Sequence, residues 1–154
     1  MKSFNFFRSI LLANLASMLM LSNAHASNTL KMDLTANQVI KNDEGIIIYI
    51  PVRTAPVGAV IQYKAIYSNI INKDIQDLAV VLPIPANMTF TGEANPASAQ
   101  ASIDGKNYGD IPLMRKMEGK MVKIPFSEYR TLRWNIKLLP AQKSAAVALN
   151  TIVN

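Results

Sequence analysis

From Leu132 onward, apolar and polar side chains alternate. Leu132, Trp134, Ile136 and Leu138 share one face, and Arg133, Asn135 and Lys137 share the other. A period of two marks a half-buried strand, and it recurs along the chain. Ile61, Tyr63, Ala65 and Tyr67 face one way, opposed by Gln62, Lys64 and Ser68. Leu78, Val80 and Leu82 make a third such face. Leu30, Met32 and Leu34 make a fourth against Lys31, Asp33 and Thr35, and Val147, Leu149 and Val153 a fifth. Ile46-Ile47-Ile48-Tyr49-Ile50 is continuous instead of alternating, which predicts a strand buried on both sides. Residues 88–91 and 99–103 are shorter strand candidates. No segment after residue 27 sustains a helical period over ~12 residues; only residues 127–131 suggest a helical turn.

The punctuation agrees with strands. Asn42-Asp43-Glu44-Gly45 has the composition of a hairpin turn. Pro56-Val57-Gly58 precedes a strand and Asp104-Gly105-Lys106-Asn107 is a second turn. Pro83 and Pro85 end a strand, because proline donates nothing to a ladder. Short strands separated by turn signals predict an all-β sandwich of seven to eight strands, with a closed barrel as the alternative. The strand order is not readable from one sequence.

The first residues have a different composition. Lys2 and Arg8 precede a mostly apolar run from Ser9 to Leu21, followed by Ala24-His25-Ala26. That is the order of a cleaved secretory signal peptide, so residues 1–26 are expected to be removed and 27–154 to form one exported domain. The only histidine is then lost and the chain has no cysteine. Histidine- and cysteine-based zinc sites and Ser-His-Asp or Cys-His catalysis are excluded from the mature chain. No disulfide or lipidated cysteine is available, and no later apolar run is long enough to span a bilayer.

Three segments resemble, in order, a bacterial conserved-repeat family catalogued as domain of unknown function eleven. Residues 56–69, from Pro56-Val57-Gly58 through Tyr63 and Tyr67 to Asn69, resemble its opening strand. Leu78 to Pro83 followed by Ala86 to Phe90 resembles its second strand and the aromatic strand after it. Trp134 to Pro140 followed by Ser144 to Val153 resembles its closing hairpin. The match covers residues 50–153. It departs at Ala141-Gln142, where the family has glycine, and in an insert around residues 114–129. The resemblance implies an immunoglobulin-like sandwich on an exported bacterial protein, with no assigned catalytic residues. It points to a periplasmic or envelope-associated role, and the plain leader suggests a Gram-negative periplasm.

The strongest functional feature is basic. Residues 113–134 hold Arg115, Lys116, Lys120, Lys123, Arg130 and Arg133 against Glu118 and Glu128. The formal net charge is +6; without Lys2 and Arg8, all the remaining excess lies in this stretch. Such a field attracts anionic surfaces, which makes Arg115, Lys116, Lys120 and Lys123 candidates for contact with an envelope component. Phe126 and Tyr129 would add contact area. A solvated hairpin whose lysines guard a sheet edge is the plainer account. Nucleic acid is an improbable partner for an exported chain with so small an excess.

Met114, Met117 and Met121 form a second candidate, because thioether sulfur is a soft ligand for Cu(I). Arg115, Lys116 and Lys120 lie among them and disfavour a cation. Trp134 is expected to be a core plug, with Tyr63 and Tyr67 beside it. Asp104 and Asp110 lack the spacing of a calcium loop. There is no Ser-x-x-Lys and no glycine-rich phosphate loop. The expectation is therefore an exported non-enzymatic module without a cofactor, acting by protein or envelope contact through the basic hairpin or a strand edge. A small periplasmic binder of a metal ion or an anionic ligand is the alternative.

Overall fold

The computed structural model describes residues 9–11 and 29–154. The leader reading therefore lies outside the described residues, apart from a short strand, β1 (Ser9–Leu11), whose backbone pairs with β4 (Thr54–Pro56). The remainder is all-β, with antiparallel sheets packed face to face. A five-stranded sheet has the order β3 (Ile47–Pro51), β2 (Leu30–Lys41), β5 (Val60–Asn69), β13 (Ser144–Val153) and β7 (Met88–Asn95). The facing sheet runs β6 (Ile75–Pro83), β12 (Thr131–Leu139), β8 (Gln100–Ser102), β9 (Gly109–Asp110). The two sheets hold nine strands, beyond the seven to eight expected, because β3 and the very short β9 extend their rims.

The alternation of β5 works as the sequence predicts. Ile61, Tyr63, Ala65 and Tyr67 are buried, and Val80 and Leu82 of β6 meet them from the opposite layer with Leu132 and Trp134 of β12. Trp134 is the expected core plug, and its indole N–H donates to the Pro96 carbonyl at 2.8 Å. Burial pushes the Tyr63 and Tyr67 phenols up to about 12, because a phenolate in this core would lose its hydration.

Four expectations need correction. Leu138 does not share the inner face of Trp134: it is 51% exposed, while Leu139 is 2% exposed. The β6–β12 ladder skips the position of Asp77, whose φ is +50°, and the burial alternation changes phase there. Second, β12 and β13 are not a hairpin. β12 pairs with β6 and β13 with β5, so the chain crosses between layers at residues 140–143. Gln142 takes φ +58° in that crossing, the left-handed conformation that glycine would favour. Third, the helical turn is a 3-10 turn at Phe126–Glu128, slightly earlier than its sequence position suggested.

The fourth correction is the largest. Ile47–Pro51 is not buried on both sides; every residue of β3 is exposed. Among the described residues it is the outermost strand of its sheet, paired to β2 alone. Its run of β-branched side chains marked a strand correctly, but a run cannot say whether a second layer reaches that far.

Two polar nodes hold the frame. Asn69 is 2% exposed at the end of β5. Its amide donates to the carbonyls of Lys73, Leu139 and Pro140, and its oxygen accepts from the Ile71 N–H. One side chain thus ties the turn after β5 to the layer crossing. Gly92 interrupts β7 with φ +96°, and a Cβ there would sit 2.8 Å from the Phe126 ring. The aromatic turn therefore docks directly on the strand backbone, where Phe90, Phe126 and Tyr129 form a cluster with ring centroids 5.2 to 6.0 Å apart.

Candidate functional site

Two hairpins present most of the unusual surface chemistry. The first is β10 (Met114–Met117) with β11 (Lys120–Lys123). Its register pairs Met114 with Lys123, Arg115 with Val122, Lys116 with Met121 and Met117 with Lys120. Alternation then sorts the side chains. Met114, Lys116, Met121 and Lys123 share one face, and Arg115, Met117, Lys120 and Val122 share the other. The three thioethers are thereby split two and one, each beside a lysine, and the hairpin does not bring them together on a common face. Among the described residues, no group of three or more His, Cys, Asp or Glu side chains is placed to hold a metal.

The basic candidates divide in a second way. Arg115 is engaged: its guanidinium donates to both carboxylate oxygens of Glu128, at 2.7 and 2.9 Å. This bidentate pair fastens the hairpin root to the 3-10 turn. Arg130 donates to the Ser127 and Tyr129 carbonyls. Arg133 lies 4.2 Å from the centroid of the Tyr108 ring and donates to Gln100. Lys116, Lys120 and Lys123 make no ion pair among the described residues. Arg130 and Arg133 keep their charge, since their acceptors are neutral, but at the hairpin itself the unpaired positive charge is that of three lysines, interleaved with methionines that are also exposed.

Phe126 and Tyr129 do not supply contact area. Tyr129 is fully buried and its hydroxyl accepts the Leu113 N–H at 2.7 Å, while Phe126 packs on the core. Their spacing within a basic stretch gave no sign of this; only the docking of the 3-10 turn on Gly92 does.

The second hairpin is β2 with β3. Its turn is built by Asn42, whose side-chain oxygen accepts the N–H groups of Glu44 and Ile46, with Gly45 at φ +83°. Beyond the turn, Ile46, Ile47, Ile48, Tyr49 and Ile50 are all exposed. Ile48 and Ile50 project to one side and Ile47 and Tyr49 to the other, so both sides of the strand are apolar. The outer backbone edge of β3 has no strand beside it among the described residues.

The acids serve local structure. The Asp104 carboxylate accepts from the backbone N–H groups of Asn107 and Lys106, and from the side chains of Asn107 and Ser102. Those donors hold it well below the usual carboxylate range. Asp74 accepts the Ala141 N–H at the layer crossing. Among the described residues, no helix is long and apolar enough to cross a membrane.

These features define the class of molecule: an all-β sandwich with one apolar and one basic hairpin at its surface. Comparison of the chain with family models, with curated proteins and with solved structures finds no match.

Proposed function

We propose that the protein is an exported, non-enzymatic, immunoglobulin-like contact module of the cell envelope, and that it takes an extended strand of a partner protein on the free edge of β3. The conserved-repeat resemblance supports the class. The observation that carries the contact is the exposure of Ile46 to Ile50 along an edge that has no strand beside it among the described residues. Natural edge strands are blunted by charge, proline or bulges. Between Ile46 and Ile50 this one has none of these. An added strand would satisfy the backbone groups, and its apolar side chains would cover both rows of isoleucine, the arrangement of β-augmentation. The leader-like composition of residues 1–26 supports export, and the exported protein is expected to begin at Ser27. An intact residue 1–26 segment on the secreted form removes that part of the reading.

The test of the contact is a pull-down from envelope extract with wild type and Ile48→Lys. Wild type is expected to retain a specific protein and Ile48→Lys to lose it, with unchanged circular dichroism. Equal recovery by both, or no recovery by either, removes strand addition at β3.

A second reading rests on the basic hairpin. Lys116, Lys120 and Lys123 would contact an anionic surface while Met117 and Met121 settle into its apolar margin. Replacing the three lysines with glutamine is expected to abolish binding to anionic liposomes at low salt. Unchanged binding ends this reading.

A further inference from the structure

A depression opens on the outward face of the five-stranded sheet. Small side chains at Ala146 and Ala148 of β13 floor this depression of about 290 Å³. Gln62 and Lys64 of β5, Asn95 of β7, Asn37 of β2 and Tyr49 of β3 wall it. The ladders set these groups in adjacent rows across the sheet. Asn37 stands opposite Gln62, Lys64 opposite Ala148, and Ala148 opposite Asn95.

We infer that this depression is a binding site for a short acidic saccharide. Its chemistry is three carboxamides, one ammonium and one aromatic ring around an alanine floor. Carboxamides donate and accept at once, which matches the mixed demands of sugar hydroxyls. The Tyr49 ring offers an apolar face with a polar tip at one end, suited to the C–H face of a pyranose. Lys64 sets the charge of the ligand, because no ion pair neutralises it among the described residues. The Glu93 carboxylate keeps its charge but is held toward the Asn150 amide and is not among the residues that line the depression. The side chains of Gln62 and Asn95 make no hydrogen bond among the described residues, so their capacity is open to a ligand.

An extended peptide is a poorer occupant. β5 and β13 each have a strand on both sides, so their backbone groups are committed to the ladders and a peptide would find no main-chain partners. The volume is at the small end for a ligand site, which suits a short saccharide.

The site shares Tyr49 with the β3 rim but uses none of the basic hairpin and none of the free backbone edge of β3, and a titration with a saccharide alone reads it without a partner strand. The probe is a short oligogalacturonate, with its methyl ester as the uncharged match, titrated into the purified protein by calorimetry. The acid form is expected to bind at least tenfold more tightly than the ester. Ala146→Phe, which fills the depression from an exposed position, is expected to abolish binding. Tyr49→Ala and Lys64→Gln should each weaken it at least fivefold, and the triple glutamine variant of Lys116, Lys120 and Lys123 should leave it unchanged. All variants are compared at equal circular dichroism. Failure of the acid form to bind, equal binding of acid and ester, or loss in the triple variant with retention in Ala146→Phe overturns the inference. Tyr49→Ala and Lys64→Gln decide the matter if Ala146→Phe does not fold.

Discussion

β5 and β3 are built from similar residues and meet opposite ends. Ile61, Tyr63 and Tyr67 of β5 are buried, whereas Ile47, Ile48, Tyr49 and Ile50 of β3 are exposed. The difference is rank in the sheet. β5 is the middle strand of five, with β6 and β12 supplying the core across from it. β3 is the rim strand, and the facing layer, which carries one strand fewer, does not cover it. Hydrophobic composition selects the extended conformation; sheet order decides whether the surface is withdrawn from water. An exposed apolar strand is therefore a statement about what the isolated chain leaves uncovered.

Substitutions can break this contrast at each level. Tyr63→Ala is expected to cost about 3–5 kcal/mol, as for other large buried aromatics. Ile48→Ala should stay within about 0.5 kcal/mol, as for exposed sites. Urea unfolding of the two variants measures the gap directly, and equal costs would mean that β3 is covered in the folded chain. Asn69→Ala follows at about 2–3 kcal/mol, because several buried backbone groups lose their partner at once; the unfolding midpoint reads it.

Gly92→Ala should cost about 1–3 kcal/mol through overpacking against Phe126 and an unfavourable positive φ. Its tyrosine fluorescence should report a displaced aromatic cluster.

Alkali gives a gentler probe of the same contrast. The unfolded phenols ionise near 10, whereas Tyr63 and Tyr67 in the fold hold their protons to about 12. The unfolded chain therefore loses protons first. The stability that these two residues contribute is complete below pH 10 and falls as the pH rises toward 12. Absorbance at alkaline pH is expected to show late ionisation that coincides with unfolding. Ionisation of every tyrosine near pH 10 in a folded chain would contradict the packing.

Much of the frame was legible because it depends on local alternation. The inward faces of β5 and β6 and the Trp134 plug follow from a period of two, and the Asn42–Gly45 turn from its composition. What escaped depends on contacts remote in sequence. The Arg115–Glu128 pair joins residues on different elements, so the sequence could not show that Arg115 is engaged and not free for contact. The methionines were close in sequence but are sorted to opposite faces by the β10–β11 register. The exposure of β3 and the layer crossing after β12 are set by strand order. The depression on the outer face draws its side chains from all the strands of one sheet, and no single stretch of sequence carries a sign of it.

The place of β5 has a mechanical consequence. β2 and β13 both run antiparallel to it, with Leu30 opposite Asn69 at one pole and Ile152 opposite Val60 at the other. A pull applied through the start of β2 and the end of β13 acts along these strands, so both hydrogen-bond ladders are sheared as whole rows instead of being unzipped bond by bond. A module tethered in this way would resist stretching while its rim strand stayed available to a neighbour.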